Sequence, residues 1–84
     1  MSAFKSKRVG ILGLGEVGRT LGSGFIKLGH QVMLGTLDPY KAEVREWLRR
    51  TPGAKAGAFE EATRFGELLV LAALGRAVLT NVRL

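Results

Sequence analysis

The feature that most constrains this chain is a set of glycines in the pattern Gly-x-Gly-x-x-Gly. They are Gly13, Gly15 and Gly18. The apolar run Val9–Leu12 precedes them, as expected for a buried parallel strand. Apolar residues then recur at helical spacing, at Leu21, Phe25 and Leu28, and Gly29 is expected to end this helix as its C-terminal cap. Because 12 of the 84 residues are glycine, the pattern alone is weak, and its place between a strand and an amphipathic helix makes it informative.

Each glycine has an expected role at such a junction. We expect Gly13 to permit the tight turn off the strand and Gly18 to let the helix pack closely on the sheet. A side chain at Gly15 would keep the backbone away from a pyrophosphate, which the N–H groups at the helix start would bind. The expected backbone contacts of the phosphates are Leu14, Glu16 and Val17. The alternative is a glycine-rich strand–helix connection that binds no ligand.

The rest of the chain continues the alternation of strands and helices. The predicted elements are a strand at 32–34, a helix opened by Asp38 as N-cap and Pro39 and ended by 51–53, a weak strand at 54–58, a short helix from Phe59 to about Gly66, and a strand at 68–73. This order predicts an α/β, Rossmann-like parallel sheet with helices on both faces and strand order 3-2-1-4.

The last strands of a complete fold of this class are not expected here, because the tail from Val78 to Leu84 is too short to supply them. Residues 1–84 are therefore expected to form one partial dinucleotide-binding domain. Strand four should then expose an edge carrying Leu69 and Leu71. We expect the chain to be marginally stable or to form a homo-oligomer through this exposed sheet edge.

The amino-acid composition limits the kinds of partner that this chain is expected to bind. The net charge of +6 favours an anionic one. The six aromatic residues do not alternate with basic ones as in strands that stack bases, which argues against nucleic acid. With no cysteine and one histidine, no metal site is expected. No apolar run approaches the length of a membrane span, so we expect a soluble, cytoplasmic protein.

The end of the second strand bears on which dinucleotide is bound. NAD sites usually have an acidic residue there, whereas this chain has Thr36, followed by Leu37. The Thr36 hydroxyl can donate to a 2′-phosphate, and Lys41 can supply a cation, which favours NADP over NAD. Asp38 lies near the acidic position as well, but its role as a helix cap before Pro39 is the stronger interpretation.

Two stretches resemble a known family. They are VGILGLGEVGRTLGSGFIKLGHQVMLGTLDP and EVREWLRRTPGAKAGAFEEATRFGELLVLA. From about Arg8 to Gly75 the chain resembles the NADP-binding domain of the coenzyme F420-dependent NADP oxidoreductases. In that family the second strand typically ends Gly-Ser/Thr-Arg-x-Pro, and its Ser/Thr and Arg hold the 2′-phosphate. Thr36 and Pro39 match this motif, while Leu37 occupies the arginine position.

The resemblance implies an NAD(P)-binding domain of an oxidoreductase that transfers hydride to or from NADP. Coenzyme F420 would be the hydride partner in full-length relatives, whose second-substrate site is not expected in this chain. Leu74 lies in the segment that corresponds to the loop after the fourth strand, which approaches the cofactor's diphosphate in such proteins. Because the cofactor supplies the reactivity, no catalytic residue is predicted. The alternatives are a non-catalytic dinucleotide-binding or regulatory module and an inactive fragment.

Overall fold

The computed structural model describes residues 5–13, 15–73 and 76–81. Within them lie five strands and three helices. In chain order these are β1 (Arg8–Gly13), α1 (Glu16–Lys27), β2 (Gln31–Gly35), α2 (Ala42–Arg50), β3 (Ala54–Gly57), α3 (Phe59–Phe65), β4 (Leu68–Ala73) and β5 (Arg76–Asn81). The weak strand predicted at 54–58 is present as β3, and the alternation predicted as far as β4 is confirmed.

The strands form one sheet in the order β3-β2-β1-β4-β5. The first four are parallel, with Ile11 of β1 paired with Leu34 of β2 on one side and Val70 of β4 on the other. The predicted order 3-2-1-4 is therefore confirmed. This order places β1 at the centre of the parallel strands, so the glycine-rich connection leaves the middle of the sheet.

The prediction that β4 forms an exposed edge is wrong. β5 pairs antiparallel with β4, with Leu69 opposite Thr80 and Leu71 opposite Val78. An antiparallel neighbour needs no crossover helix, so a short segment can cover an edge that a further parallel strand could not have reached. The open edges of the described sheet are consequently those of β3 and β5.

One face of the sheet carries the core. The helices α1 and α2 cover it, and the buried core residues are Val9, Ile11, Val32, Leu34, Val44, Trp47, Val70 and Ala72. Trp47 anchors α2 to α1, because its indole N–H donates a 2.9 Å hydrogen bond to the hydroxyl oxygen of Ser23. A Cβ at Gly22 would lie 2.7 Å from the Trp47 ring, so this glycine makes the close approach of the two helices possible.

The opposite face is covered by the seven-residue helix α3. Ala62 of α3 is fully buried and approaches the strands where they carry glycine. A Cβ at Gly10 would collide with the carbonyl oxygen of Ala62, and one at Gly35 would lie 2.8 Å from the Ala62 Cβ. Gly10 and Gly35 therefore allow the close packing of α3 on the sheet. Because α3 is short, Leu71 remains 44% exposed.

The beginning of α2 differs from its prediction. The helix starts at Ala42 with Lys41 as N-cap, so Asp38 is not the cap. Instead the Asp38 carboxylate accepts the Tyr40 N–H at 3.1 Å, and its carbonyl accepts the Lys41 N–H at 3.2 Å. An aspartate that bonds the backbone two residues on stabilises a turn in place of a helix start. The segment 36–41 is thus a structured loop.

Candidate functional site

The candidate site lies at the carboxyl edge of the parallel strands. Leu12 pairs with Gly35 and Gly13 with Ala72, so the ends of β1, β2 and β4 meet at one side of the sheet. The crossovers from β1 and β2 run over one face, and the crossover through α3 runs over the other. Doubly wound sheets bind ligands at such a reversal of direction, outside the carboxyl ends of the strands.

Gly13, the last residue of β1, is required by its neighbour in the sheet. A Cβ there would collide with the carbonyl oxygen of Ala72 and lie 3.1 Å from the Ala72 Cβ. The positive backbone φ angles among the described glycines occur elsewhere, at Gly15, Gly29 and Gly53. Gly13 thus keeps β1 and β4 close where the chain leaves the sheet, a different reason from the tight turn that the sequence indicated.

Gly15 combines an unusual backbone with open space. Its φ of 97° and ψ of −163° lie in a region that is essentially restricted to glycine. Among the described residues, excluding its two chain neighbours, a Cβ at Gly15 would have no atom within 4 Å. Packing against the described residues therefore does not explain this glycine, and they leave its backbone accessible to a ligand.

The first turn of α1 faces this space. Gly15 is the N-cap and makes no side-chain capping bond, so the N–H groups of the first turn have no partner within the helix. Glu16 begins the helix and is exposed, and Val17 is partly buried. Gly18 is buried, and a Cβ there would touch Ile11 and Leu34 at 3.4 Å, which is the close helix packing expected at this position. Leu14 lies outside the described residues.

The end of β2 leads into the loop 36–41. Thr36 is 5% exposed. Its N–H donates to the carbonyl of Gly57 at 3.0 Å, and its hydroxyl oxygen accepts the Asp38 N–H at 3.4 Å. Among the described residues the Thr36 hydroxyl proton has no acceptor. Leu37 is 74% exposed. Lys41 is exposed and its ammonium lies 4.0 Å from the Glu43 carboxylate.

The structure thus brings together most of the predicted residues at one edge. The candidate site has two parts. Gly13 at the end of β1 and residues 15–18 at the start of α1 form the first, and Thr36, Leu37 and Lys41 form the second. Leu74 lies outside the described residues. In the part of the chain that the structure describes, no group of three or more acidic or histidine side chains could hold a metal ion. No described helix is long and apolar enough to cross a membrane.

A pocket of about 390 Å³ beside this loop was not predicted. Tyr40, Arg45, Leu48, Ala56, Gly57 and Glu61 contribute to its lining. The available signal was the spacing of Lys41 and Arg45, which would share one face of the helix predicted to open at Asp38 and Pro39. In the structure α2 begins only after Lys41. A larger cleft of about 550 Å³ runs between α1 and α2. It reaches Glu16, but also Lys27 and Pro52 at the far ends of these helices.

Comparison with known proteins agrees with this geometry. The sequence profile described as "NADP oxidoreductase coenzyme F420-dependent" matches residues 8–80. A crystal structure from Arthrobacter sp. FB24, of a protein provisionally assigned as an F420-dependent NADP reductase, superposes with a TM-score of 0.71 at 35% sequence identity. The match covers 82% of this chain and 33% of that one, so this chain spans about a third of that protein's length. No curated protein matches the chain significantly. The chain belongs to the family of coenzyme F420-dependent NADP oxidoreductases.

Proposed function

We propose that this chain binds a nicotinamide dinucleotide at the carboxyl edge of its sheet, with NADP preferred over NAD. The observation that carries the proposal is the environment of Gly15. Its backbone lies in a glycine-only conformation at the start of α1, and no atom of the described residues beyond its chain neighbours lies within 4 Å of where a side chain would begin. Packing against the described residues therefore does not account for this glycine, and a diphosphate could approach its backbone.

The residues at this edge fit a diphosphate. The 12-residue helix α1 presents unpaired N–H groups and the positive end of its dipole. Helix starts of this kind bind phosphate groups through their backbone. The exposed Glu16 carboxylate is the one acidic group in the first turn, so the proposal requires it to remain on the solvent side of the phosphates. Backbone groups of residues 14–18 would hold the diphosphate.

The loop 36–41 favours NADP. Thr36 retains a hydroxyl proton for a 2′-phosphate, and Lys41 supplies a nearby positive charge. Asp38, the acidic residue two positions after Thr36, accepts the Tyr40 N–H through one carboxylate oxygen. This carboxylate therefore stabilises the loop, which is a role other than binding ribose hydroxyls. The Leu37 side chain offers no hydrogen-bond donor, so the preference for NADP depends on other residues of this loop and of α2.

When bound, NADP would supply hydride-transfer chemistry, and the protein would supply binding and orientation. Hydride exchange with coenzyme F420 or another acceptor is proposed for full-length relatives, because this chain spans about a third of the structural relative's length. For the chain itself a dinucleotide-binding module without turnover is the alternative.

Two measurements test the proposal. Titration of the purified chain with NADPH and with NADH, followed by nicotinamide fluorescence or calorimetry, should show saturable binding that is tighter for NADPH. Absence of binding to either would refute the proposed function. Mixing the NADPH complex with oxidised coenzyme F420 then separates the alternatives, because an enzyme would consume NADPH and a binding module would not.

A further inference from the structure

We propose that Arg45 is a specificity-determining residue that binds the 2′-phosphate of NADP from the pocket beside loop 36–41. This inference rests on the proposed function and assigns to it a residue that the glycine motif and the end of β2 do not indicate.

Arg45 is placed close to the predicted phosphate-binding residues by the first turn of α2. Its N–H donates to the carbonyl of Lys41 at 3.0 Å. Lys41 is the N-cap of α2, and Arg45 follows it by about one turn. Both cations therefore belong to the end of α2 that receives loop 36–41.

The pocket connects Arg45 with the end of β2. Arg45 and Tyr40 line it together with Gly57, and the Gly57 carbonyl accepts the Thr36 N–H at 3.0 Å. Its volume of about 390 Å³ lies within the range of small-ligand pockets. Tyr40 is 80% exposed and offers a ring face on which a nucleic-acid base can stack. The pocket therefore lies next to Thr36, the residue proposed to donate to the 2′-phosphate.

Arg45 is also the arginine of α2 that is available for an anion. The Glu46 carboxylate pairs with Arg49 and, at 3.5 Å, with Arg50. Arg45 is exposed, and within the described ranges it has no carboxylate within 4.0 Å. A guanidinium can donate two parallel hydrogen bonds to a phosphate, which the single ammonium of Lys41 cannot match.

Glu61 limits where the phosphate can lie. It lines the same pocket, and its carboxylate accepts the Ala58 N–H at 2.8 Å at the start of α3. A phosphate beside this carboxylate would be repelled. The proposal therefore requires the phosphate to bind on the side of Arg45 and Lys41, toward loop 36–41.

The test compares Arg45→Gln with the parent chain and with Arg49→Gln, a matched control on the same helix whose arginine is ion-paired. Calorimetric titrations use NADPH, NADH, 2′,5′-ADP and 5′-ADP. Arg45→Gln should lower the affinity for NADPH and for 2′,5′-ADP by at least about 5-fold. It should change the affinity for NADH and for 5′-ADP by less than about 2-fold. Arg45→Lys should retain part of the affinity, and Arg49→Gln should change none of the four.

The outcomes separate this inference from the proposed function. If the parent binds neither dinucleotide, the proposed function fails and Arg45 has no role in it. If the parent binds both and Arg45→Gln leaves the NADPH-to-NADH affinity ratio unchanged, the assignment of Arg45 is wrong while the proposed function stands. Equal losses in Arg45→Gln and Arg49→Gln would likewise overturn it, because general positive charge would then explain the effect.

Discussion

Gly22 of α1 lies against the indole ring of Trp47 of α2, so that a Cβ at Gly22 would be 2.7 Å from the ring atom Cζ2. Two residues further along α1, a Cβ at Gly24 would meet no atom within 4 Å. The two glycines lie in the same helix but differ in the side chains that cover them. Substituting each by alanine therefore separates the effect of packing from that of helix propensity.

Gly22→Ala and Gly24→Ala should therefore change stability in opposite directions. Alanine gains about 0.5–1 kcal/mol over glycine inside a helix, and Gly24→Ala should show this gain. At Gly22 the methyl group would displace Trp47, and overpacking of a core typically costs about 1–3 kcal/mol. Urea unfolding measures both. Equal stabilisation by the two substitutions would contradict the packing described for Trp47.

Gly13→Ala tests the junction between β1 and β4. Because a methyl group there would collide with the Ala72 carbonyl, the strands must separate, and we expect a loss of about 1–3 kcal/mol. Thermal unfolding checks this, with Gly24→Ala as the control. A variant as stable as the parent would show that the close approach of these strands is not needed.

Sequence reasoning recovered the parallel part of the fold because its signals were local. The apolar run before the glycine motif, the helical spacing of Leu21 and Phe25, and the end of α1 are all encoded within a few residues. Gly29 illustrates this: it has a φ of 95°, and the N–H groups of Gly29 and His30 bond the carbonyls of Ile26 and Phe25 in the arrangement typical of glycine-ended helices.

What sequence reasoning missed depends on pairs of residues distant in the chain. The pairing of β5 with β4 depends on strand register, for which the tail carries no periodic signal. The close approach of Gly10 and Gly35 to Ala62 is a tertiary contact. The pocket at Arg45 forms only when α2, β3 and α3 come together, so the spacing from Lys41 alone could not identify it.

Leu37→Arg tests the nucleotide preference at the end of β2. The side chain is 74% exposed, so arginine can be accommodated there. A charge-assisted hydrogen bond to the 2′-phosphate contributes about 1.5–3 kcal/mol, and NADPH affinity should rise by about 10-fold or more. NADH should gain little, and the NADPH gain should shrink with added salt. Equal gains for both dinucleotides would mean that position 37 does not face the phosphate.

Self-association through a sheet edge remains a prediction. Because β5 covers β4, the edge concerned is that of β5. No described strand pairs with the outer side of β5, and an open strand edge is a place where sheets of two chains can join. We expect light scattering to show a mass that increases with protein concentration. A constant monomer mass at high concentration would contradict it.

The central claim, that the glycine loop binds the diphosphate of a dinucleotide, is tested most directly by NADPH titration of the parent chain, Gly15→Val and Gly24→Val. Among the described residues a Cβ at either glycine would have no atom within 4 Å. Gly15 differs from Gly24 in lying at the proposed phosphate site and in having a positive φ, so the comparison requires that the Gly15→Val chain is folded. We predict that Gly15→Val weakens NADPH binding by at least about 10-fold, or about 1.4 kcal/mol, and that Gly24→Val binds like the parent, with circular dichroism showing that both fold. A folded Gly15→Val that binds NADPH as tightly as the parent would contradict the account.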